Sequence, residues 1–415
     1  MISGVTLFCV IAVLCFMNGM CKKSDNGDSG PVFQPTVILI SFDGFRWDYM
    51  SRTSTPNLDY LVTNGVKADA LIPVFPTHTF PNHYTIVTGL YPENHGIVAN
   101  TMYDPEFGEW FWIGSGSEPV KDGRWYEGEP LWVTAELQGQ VTACYFWPGS
   151  EAAIKDTRPT YYLAFDSSVP NTSRVQQVLQ WLDLGDNERP TFITLYFSDT
   201  DTWGHTYGPE SDEMATAIKE LDDRLGQLLD GLRARSLEEL VNIIVVSDHG
   251  MTQMSRDRVI FLDDYINRDD VTIAHLTPTA MIWPDEGMED TVYNGLAGAH
   301  PRMPAYKKAE IPERYHYRSH RRIPPIVCVA EEGWSSTWHE TFDTNPDYYT
   351  GGTHGYDPDY SSMQGIFIAC GPAFRTGVTV AAFQNIHIYE LICRILNLSP
   401  AENDGNLDVV RSLLN

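Results

Sequence analysis

The chain has 415 residues, of which 43% are hydrophobic and 20% charged, and its formal net charge is −27. This composition is ordinary for a globular protein with a large core, and the length is compatible with a single large α/β domain. The strong negative charge argues against a nucleic acid polymer or an anionic membrane surface as the main partner. An anionic small molecule would need local positive charge, which a pair of divalent cations supplies.

Residues 1–21 open the chain with a nearly unbroken apolar stretch. Its core, residues 5–17, is shorter than the roughly 20 residues that a membrane-spanning helix needs. A signal peptide is therefore favoured over an anchor helix. Cys21 leaves a lipoprotein-type signal open, and residues 22–35 are typical of a flexible tether. We expect an extracytoplasmic protein, either secreted, periplasmic or held at the cell surface, with a membrane contact only through such an N-terminal anchor.

Apolar runs alternate with helical patterns along the rest of the chain. Strands are predicted at residues 37–42, 191–197, 242–246 and 365–369, and helices at 55–64, 83–90, 174–182 and 211–232. This alternation predicts a doubly wound α/β fold, with a largely parallel central sheet flanked by helices. We expect residues 299–325 to form an inserted lobe and residues 110–132 to form a loop at the rim of a site. The main domain is predicted at 36–400 and a C-terminal tail at 401–415.

Side chains that commonly bind metals occur where an apolar run ends or where glycines flank the chain. They are Asp43, Asp201, His205, Asp248, His249 and His354. In α/β sheets ligands gather at the carboxyl ends of the strands, where most of these residues are predicted to lie. A single Asp or His in such a place is more often a helix cap or a surface residue. Three carboxylates and three imidazoles together indicate two divalent metals.

Thr79 is the candidate nucleophile. Pro76 and Pro81 stiffen its segment, and the helix predicted to follow would present backbone N–H groups that favour an anion. A free threonine hydroxyl is a poor nucleophile, and coordination to a metal would activate it. Taken alone, Thr79 is better explained as a helix cap, so its assignment depends on the neighbouring metal ligands.

Five segments resemble the motifs of the nucleotide pyrophosphatase/phosphodiesterase family, which belongs to the alkaline phosphatase superfamily. They are SFDGFR (41–46), FPTHTFPNH (75–83), TGLYPENHG (88–96), SDHGM (247–251) and HG (354–355). The motifs are long, ordered and specific, and the resemblance extends over roughly residues 35–400. It implies an alkaline-phosphatase-like fold and a single phosphodiesterase catalytic domain at 36–400.

The resemblance also implies roles for individual residues. One zinc ion would be held by Asp201, His205 and His354, and a second by Asp43, Thr79, Asp248 and His249. Thr79 would attack phosphorus and form a covalent intermediate, which water then hydrolyses. Asn100 would donate a hydrogen bond to a phosphate oxygen. Phe80 and Phe165 would sandwich a nucleobase, with Tyr196 lining the slot, and core packing is the alternative for each of these rings.

The chain departs from the family pattern at several positions. His78 stands where many relatives have lysine, and Thr101 follows Asn100 where relatives place lysines. Phe165 replaces a common tyrosine, and Trp203 replaces a small residue. The loss of the lysines weakens the expectation of tight binding to a β,γ-diphosphate group.

The leading prediction is a secreted, zinc-dependent hydrolase that cleaves nucleotide diesters or anhydrides, releases nucleoside 5′-monophosphate and works as a monomer. The alternative on the same scaffold is a choline-phosphodiester hydrolase, because residues 299–308 and 313–317 are similar to that branch. A phosphomonoesterase would be expected to bring an arginine to the phosphate, and no motif supplies one. A sulfatase lacks its motif around Thr79, and a non-enzymatic binding protein would be expected to have lost ligands.

Overall fold

The computed structural model describes residues 34–114 and 116–415. The predicted signal peptide and residues 22–33 of the predicted tether lie outside the described residues. Residues 34–415 form one compact unit. Within it, no described helix is both long and apolar enough to cross a membrane.

The strands of the described residues are, in chain order, β1 (Thr36–Phe42), β2 (Val66–Ala68), β3 (Leu71–Ile72), β4 (Thr101–Asp104), β5 (Glu109–Trp112), β6 (Thr142–Tyr145), β7 (Tyr161–Leu163), β8 (Phe192–Phe197), β9 (Val241–Val246), β10 (Thr252–Gln253), β11 (Val259–Phe261), β12 (Val271–His275), β13 (Thr279–Pro284), β14 (Ala305–Lys307), β15 (Ile326–Val329), β16 (Ser335–Thr337), β17 (Gly352–Thr353), β18 (Phe367–Cys370), β19 (Val378–Val380) and β20 (Phe383–Gln384).

The α-helices are α1 (Pro56–Asn64), α2 (Thr79–Thr88), α3 (Pro92–His95), α4 (Leu131–Leu137), α5 (Asn171–Leu182), α6 (Asp199–Tyr207), α7 (Asp212–Ala234), α8 (Glu289–Leu296), α9 (His339–Thr344), α10 (Ile388–Ile395) and α11 (Leu407–Val410). Short 3-10 helices lie at Tyr49–Ser51, Pro119–Lys121, Gly123–Trp125, Leu262–Asp264, Arg268–Asp270, Lys308–Glu310, Glu313–Tyr315, Pro346–Thr350, Ser361–Met363, Asn385–His387 and Arg411–Leu413.

The central sheet has eight strands in the order β19-β2-β18-β9-β1-β8-β6-β7. Strands β9, β1, β8, β6 and β7 pair in parallel, whereas β18 is antiparallel to both of its neighbours, β9 and β2. Every residue of β1, β8 and β9 is buried, which explains why these strands are continuous apolar runs. The predicted largely parallel sheet is therefore confirmed.

Helices cover both faces of this sheet. Helix α7 packs against α1 and α5, and α10 packs against α2 and α4. Val37 and Leu39 of β1 share a core with Trp132 of α4 and Leu391 of α10. Because side chains alternate along a strand, the residues between them face the opposite layer. This arrangement confirms the doubly wound architecture.

The inserted lobe is larger than predicted. It contains a four-stranded sheet in the order β12-β13-β15-β14, with antiparallel pairing throughout. A separate hydrophobic core, which includes Ile282, Val292 and Cys328, joins this sheet to α8. The predicted range 299–325 contains only β14 of these strands. Its partners lie outside that range, and their pairing is long-range, so the local pattern does not reveal it.

Other boundaries also differ from the sequence expectation. Helix α2 begins at Thr79, not at residue 83, because Pro81 occupies its first turn, where a missing N–H group costs no helical hydrogen bond. The helix ends before Gly89, which has a φ of 68° and therefore the left-handed conformation that glycine adopts easily. Part of the predicted rim loop forms the β4–β5 hairpin.

The C-terminal segment and the cysteines complete the core. Residues 401–415 include α11, and Val410 and Leu413 are buried against the main domain. The sequence is compatible with either disulfides or free thiols for the four cysteines that follow the predicted signal peptide. In the structure these four cysteines are free thiols: Cys144, Cys328, Cys370 and Cys393.

Candidate active site

The candidate ligands gather at one edge of the central sheet. Asp43 follows β1, Asp248 and His249 follow β9, and Asp201 lies in the first turn of α6, just after β8. Strands β9, β1 and β8 are neighbours, so their carboxyl ends lie side by side. His354 follows β17, which pairs with β10 immediately downstream of β9. The fold thus brings together residues that are far apart in the sequence.

The six ligands form two groups, each with atoms close enough to hold one metal ion. The groups are Asp201, His205 and His354, and Asp43, Asp248 and His249, with ligand atoms within 4.8 Å of one another in each group. In the first, Asp201 Oδ1 lies 3.2 Å from His205 Nε2 and 3.6 Å from His354 Nε2. In the second, His249 Nε2 lies 3.1 Å from Asp248 Oδ2 and 3.3 Å from Asp43 Oδ1. The rings of His249 and His354 stack at 3.5 Å, so the groups are adjacent.

The imidazoles are oriented for metal binding. Nδ1 of each contacts a backbone carbonyl, Gly352 for His205 at 3.0 Å, Gly250 for His249 at 2.8 Å and Thr77 for His354 at 2.7 Å. A carbonyl oxygen only accepts, so Nδ1 carries a proton, and Nε2 is the ring nitrogen that faces the carboxylates.

The carboxylates show the same fit to a cation. Asp43 Oδ1, Asp201 Oδ1 and Asp248 Oδ2 are buried and accept no hydrogen bond. Buried carboxylate oxygens of this kind need a partner, and a divalent cation is a suitable one. A donor set of imidazole nitrogens and carboxylate oxygens suits zinc and other divalent transition metals.

Electrostatics also favour a cation. Burial raises the pKa of the Asp43 carboxyl well above its usual range, and the charges of Asp248 and Asp201 raise it further. Burial and the neighbouring His249 hold the pKa of His354 well below its usual range, so this imidazole is neutral and free to act as a ligand. Carboxylates this close repel one another unless positive charge lies between them.

Thr79 is the first residue of α2 and lies at the second ligand group. Its Oγ1 is 3.3 Å from His249 Nε2. The next backbone amide, that of Phe80, donates to Asn100 Oδ1 at 2.9 Å. Because this bond fixes the oxygen of the Asn100 amide, the NH₂ group remains available to donate to a ligand. Thr79 and Asn100 therefore meet at the N-terminus of the helix.

His83 is a supporting residue that the sequence analysis did not single out. It lies four residues after Thr79 on α2, and its Nδ1 is 2.9 Å from Thr79 O and 3.2 Å from Asp248 Oδ2. The carbonyl of Thr79 is an acceptor, so Nδ1 donates to it, and Nε2 then accepts from Ser41 Oγ at 2.7 Å. The spacing of four residues between Thr79 and His83 within the motif places both on one face of a helix, and this was the signal that the sequence offered. His83 thereby fixes the backbone at Thr79 and lies against a carboxylate of the second group.

A pocket of about 750 Å³ opens onto these groups, and we call it the main pocket. Its lining includes Asp43, Thr79 and Asp201 at one end and the aromatic rings of Phe80, Phe165 and Tyr196 along its walls. Asn100 lies beside Thr79 but does not line this cavity. The volume is typical of small-molecule sites.

Tyr196 has a second contact that the sequence did not predict. Its ring lines the main pocket, while its hydroxyl donates to Asp43 Oδ2 at 2.5 Å. Thr200 of α6 donates to the backbone carbonyl of the same aspartate at 2.5 Å. Asp43 is thus held at two points, by strand β8 and by helix α6, which carries Asp201.

His78 does not face the main pocket. It is buried, and its ring lies 4.3 Å from that of His275 and 6.0 Å from that of His354. The backbone of Gly355 packs against it so closely that a side chain at that glycine would collide with the ring. His78 therefore belongs to the wall behind the first ligand group.

Comparisons with known proteins identify the family. The model of the type I phosphodiesterase / nucleotide pyrophosphatase family matches residues 37–357. Human ectonucleotide pyrophosphatase/phosphodiesterase family member 5 is 40% identical over 383 residues, which cover 92% of this chain and 78% of that protein. Human bis(5′-adenosyl)-triphosphatase ENPP4 is 40% identical over 408 residues, which cover 97% of this chain and 87% of that protein.

Solved structures of family members support the same assignment. An inactive threonine-to-alanine variant of murine family member 5, in complex with AMP, superimposes with a TM-score of 0.88 at 41% identity. The superposition covers 92% of this chain and 100% of the solved chain. The similarity confirms the predicted alkaline-phosphatase-like fold. The chain belongs to the type I phosphodiesterase / nucleotide pyrophosphatase family and is a hydrolase.

Proposed function

We propose that this chain is an extracytoplasmic, zinc-dependent hydrolase of nucleotide diesters and anhydrides, which releases nucleoside 5′-monophosphate through a covalent threonine intermediate. One observation carries the proposal. Thr79 begins α2 beside two groups of metal ligands, at the end of a pocket walled by aromatic rings. In such a geometry Thr79 would be the nucleophile, the ligand groups would bind the phosphate and the aromatic walls would bind a base.

The two ligand groups would each hold one zinc ion. Asp201, His205 and His354 would bind the first, and Asp43, Asp248, His249 and Thr79 Oγ1 the second. When bound, the ions would activate the threonine hydroxyl and stabilise charge on the phosphate oxygens. The neutral imidazole of His354 and the unpartnered carboxylate oxygens of the site support this occupancy.

The chain itself supplies the nucleophile and its orientation. Thr79 Oγ1 would lose its proton to solvent and bond to phosphorus, while the bond from phosphorus to the leaving oxygen breaks. Water would then hydrolyse the threonyl phosphodiester, release the monophosphate and regenerate the hydroxyl. His83 donates to the Thr79 carbonyl and lies 3.2 Å from Asp248 Oδ2, and the bond to Thr79 would help keep the attacking oxygen in place.

Other residues bind the rest of the substrate. The amide NH₂ of Asn100 and the N-terminus of α2 would donate hydrogen bonds to the nonbridging phosphate oxygens. Phe80 and Phe165 would stack on the two faces of a nucleobase, and Tyr196 would line the slot. Stacking of this kind contributes roughly 1–3 kcal/mol per base and tolerates different bases.

The names of relatives support a nucleotide substrate and an extracytoplasmic location. One solved relative binds AMP, others are named bis(5′-adenosyl)-triphosphatases, and the name of family member 5 contains the word ectonucleotide. We accordingly propose residues 1–21 as a signal, with a lipid anchor at Cys21 as the alternative. Residues 22–35 would be a tether, 36–400 the catalytic domain and 401–415 its C-terminal segment, in a monomeric protein that acts on small molecules.

The test is the variant Thr79→Ala. With the p-nitrophenyl ester of thymidine 5′-monophosphate as substrate, we expect turnover to be lost while zinc content and thermal stability persist. Denaturing mass spectrometry of the wild-type protein, quenched during turnover, should show one nucleotidyl group that the variant lacks. Thr63→Ala is a matched control, because this exposed hydroxyl bonds only within α1. Undiminished turnover by Thr79→Ala would contradict the nucleophile.

A choline phosphodiester is the second candidate substrate. The carboxylates of Glu151 and Asp166 lie with Phe165 in the lining of the main pocket, and an aromatic ring beside acids suits a quaternary ammonium group. Glu151 Oε1 already accepts from Phe165 N at 3.0 Å, and Asp166 Oδ1 accepts from Ser168 N at 2.9 Å. Faster hydrolysis of p-nitrophenylphosphorylcholine than of the nucleotide ester would favour this substrate over nucleotides.

A further inference from the structure

Arg174 is a buried cation that the proposed function does not use. It lies in α5, only 3% of its surface is exposed, and it is absent from the lining of the main pocket. An arginine buried to this extent is usually paired with a carboxylate. Within residues 34–114 and 116–415, no carboxylate forms an ion pair with Arg174, and its guanidinium donates to backbone carbonyls instead.

The two carbonyls that Arg174 binds belong to different walls of the main pocket. Nη1 donates to the Tyr196 carbonyl at 2.9 Å, while Nε and Nη2 donate to the Val169 carbonyl at 3.2 and 3.1 Å. Tyr196 lies in β8, and its ring lines the main pocket. Val169 lies in the connection from β7 to α5, residues 164–170, which contains Phe165 and which we call the Phe165 segment. Arg174 therefore joins this segment to the central sheet.

The Phe165 segment depends on hydrogen bonds for its position. Residues 164–168 are exposed and Val169 is half-buried, so little burial of apolar surface stabilises the segment. Two contacts near its ends join it to its surroundings. Phe165 N donates to Glu151 Oε1 at 3.0 Å, and the Val169 carbonyl accepts from Arg174. Of these two partners, only Arg174 is a buried side chain on a helix of the core.

Arg174 also reaches Phe165 through a ring. The carbon at the centre of its guanidinium lies 5.1 Å from the centre of the Phe146 ring, within the range of a cation–π contact. The Phe146 ring in turn packs edge-on against Phe165, with 5.4 Å between the ring centres. One guanidinium thus contacts both the backbone of the Phe165 segment and the ring that supports Phe165.

We propose that Arg174 is a positioning residue of the main pocket, which holds the ring of Phe165 in place for a nucleobase without touching the substrate. The proposal rests on the proposed function, in which Phe165 stacks on the base. A mobile ring loses conformational freedom when a ligand binds, whereas a ring that is already fixed avoids most of this cost. Arg174 would therefore increase the affinity for nucleotides, and a diester without a base would gain nothing from it.

A second pocket makes the site of this guanidinium accessible to a small ion. The pocket has a volume of about 350 Å³ and is lined by Arg174, Ser167, Ser198 and Trp203, among others. Replacement of Arg174 by alanine would extend this pocket into the space that the side chain leaves. A free guanidinium ion is small enough to enter that space and can donate to the same two carbonyls.

The test compares a substrate that has a base with one that lacks it. In Arg174→Ala, we expect KM for the p-nitrophenyl ester of thymidine 5′-monophosphate to rise toward the roughly tenfold effect of losing a stacking ring, with kcat retained. The kcat/KM for methyl p-nitrophenyl phosphate should not change. Millimolar guanidinium chloride, far below denaturing concentrations, should lower KM again in Arg174→Ala but not in Phe165→Ala.

Two further variants complete the test. Arg174→Lys keeps the charge and a donor, so it should fold and give an intermediate KM even if the alanine variant does not fold. Arg235→Ala is the matched control, because its guanidinium bonds Asp183 at the other end of α5. This variant should leave KM for the nucleotide ester unchanged.

Three results would overturn the assignment. Equal losses on both substrates would show that Arg174 supports the fold or the ligand groups, and an unchanged KM for the nucleotide ester would show that it does not position Phe165. A raised KM that guanidinium does not lower would indicate a general distortion of α5. Failure of the wild-type protein to cleave the nucleotide ester, or an unchanged KM in Phe165→Ala, is a different outcome, because it contradicts the proposed function itself.

Discussion

The ligand groups and the walls of the main pocket are built in different ways. Asp43, Asp248 and His249 are buried at the ends of adjacent central strands. The pocket walls include connecting segments such as residues 146–149 and 164–167, and half of the Phe165 side chain is exposed. On the proposed function, the sheet would fix the reacting groups, whereas the substrate would be selected by segments that can change without disturbing the core.

Tyr196 joins the two regions. It belongs to β8, its ring lines the main pocket, and its hydroxyl donates to the ligand Asp43. Changes at the ligands should therefore affect all substrates alike, and changes at the pocket walls should discriminate among substrates.

The largest effect is expected from removing the metals or one of their ligands. Asp248→Asn keeps the shape of the side chain but loses the charge, and we expect turnover to fall at least about a thousandfold, because a bound metal contributes several kcal/mol of transition-state stabilisation. The loss should be the same for nucleotide and non-nucleotide diesters. Removal of metal from the wild-type protein with a chelator should cause the same loss of turnover, and added zinc should restore the activity.

Asp223→Asn, on the exposed face of α7, is the control for this variant. A loss in Asp248→Asn that appeared only with nucleotide substrates would contradict the separation of the two regions.

A slightly smaller effect, on stability, is expected from replacing Arg322, which bonds to both ends of the segment that contains Asn100. Its guanidinium is fully buried, bonds Asp104 Oδ2 at 2.6 Å and donates to the Gly96 carbonyl at 2.8 Å. Arg322→Met leaves Asp104 buried with a weaker partner, and breaking such a pair costs about 3–5 kcal/mol. We expect the free energy of unfolding, measured in denaturant, to fall toward the lower end of that range, because Arg321 still pairs with Asp104.

The double variant Arg322→Met with Asp104→Asn should recover part of the loss, since no charge is then left unpaired. Burial opposes ionisation of Asp104, but its bonds to Arg321 and Arg322 lower the pKa of the carboxyl to about 2, so it is charged at neutral pH. Arg321→Met, at a partly exposed position, is the matched comparison and should cost less. A larger loss in Arg321→Met would refute this account.

The sequence predicts the ligand region better than the pocket walls, and the reason is physical. Strands β1, β8 and β9 are continuous apolar runs, so a local pattern identifies them and marks where Asp43 and Asp248 must lie. The bond from Tyr196 to Asp43 joins residues 153 positions apart. Local patterns carry no signal for such contacts, because tertiary packing determines them.

The wrongly predicted boundaries of the fold also result from tertiary packing or from a local pattern with two interpretations. Pro81 suggested a later helix start, but the first turn of α2 tolerates it. The sequence predicts the lobe at 299–325, but its sheet extends from β12 to β15 because the strands pair across the intervening α8. Aromatic residues at 110–112 suggested an irregular rim, although Phe111 is the inward-facing residue of β5 and packs against Phe80.

Tyr196→Phe should separate the two contributions of that residue. The variant lacks the hydroxyl that donates to Asp43 Oδ2. Loss of such a bond to a metal ligand typically lowers metal affinity about 10–100-fold. The ring remains, so KM for nucleotides at saturating zinc should not change. Zinc titration followed by activity measures the first quantity, and Tyr162→Phe is the control. A raised KM with unchanged zinc affinity would place Tyr196 in the pocket wall alone.

The smallest effect is expected from Phe165→Ala. The side chain is half exposed, so folding should be unaffected, while the lost stacking surface should raise KM for nucleotide esters about tenfold with little change in kcat. Methyl p-nitrophenyl phosphate has no base and should be cleaved equally well by the variant and the wild type. Phe165→Tyr restores a ring and should restore KM. If the variant instead lost activity equally on both substrates, Phe165 would act on the ligand groups, and the division between a fixed reacting centre and an adjustable pocket wall would fail.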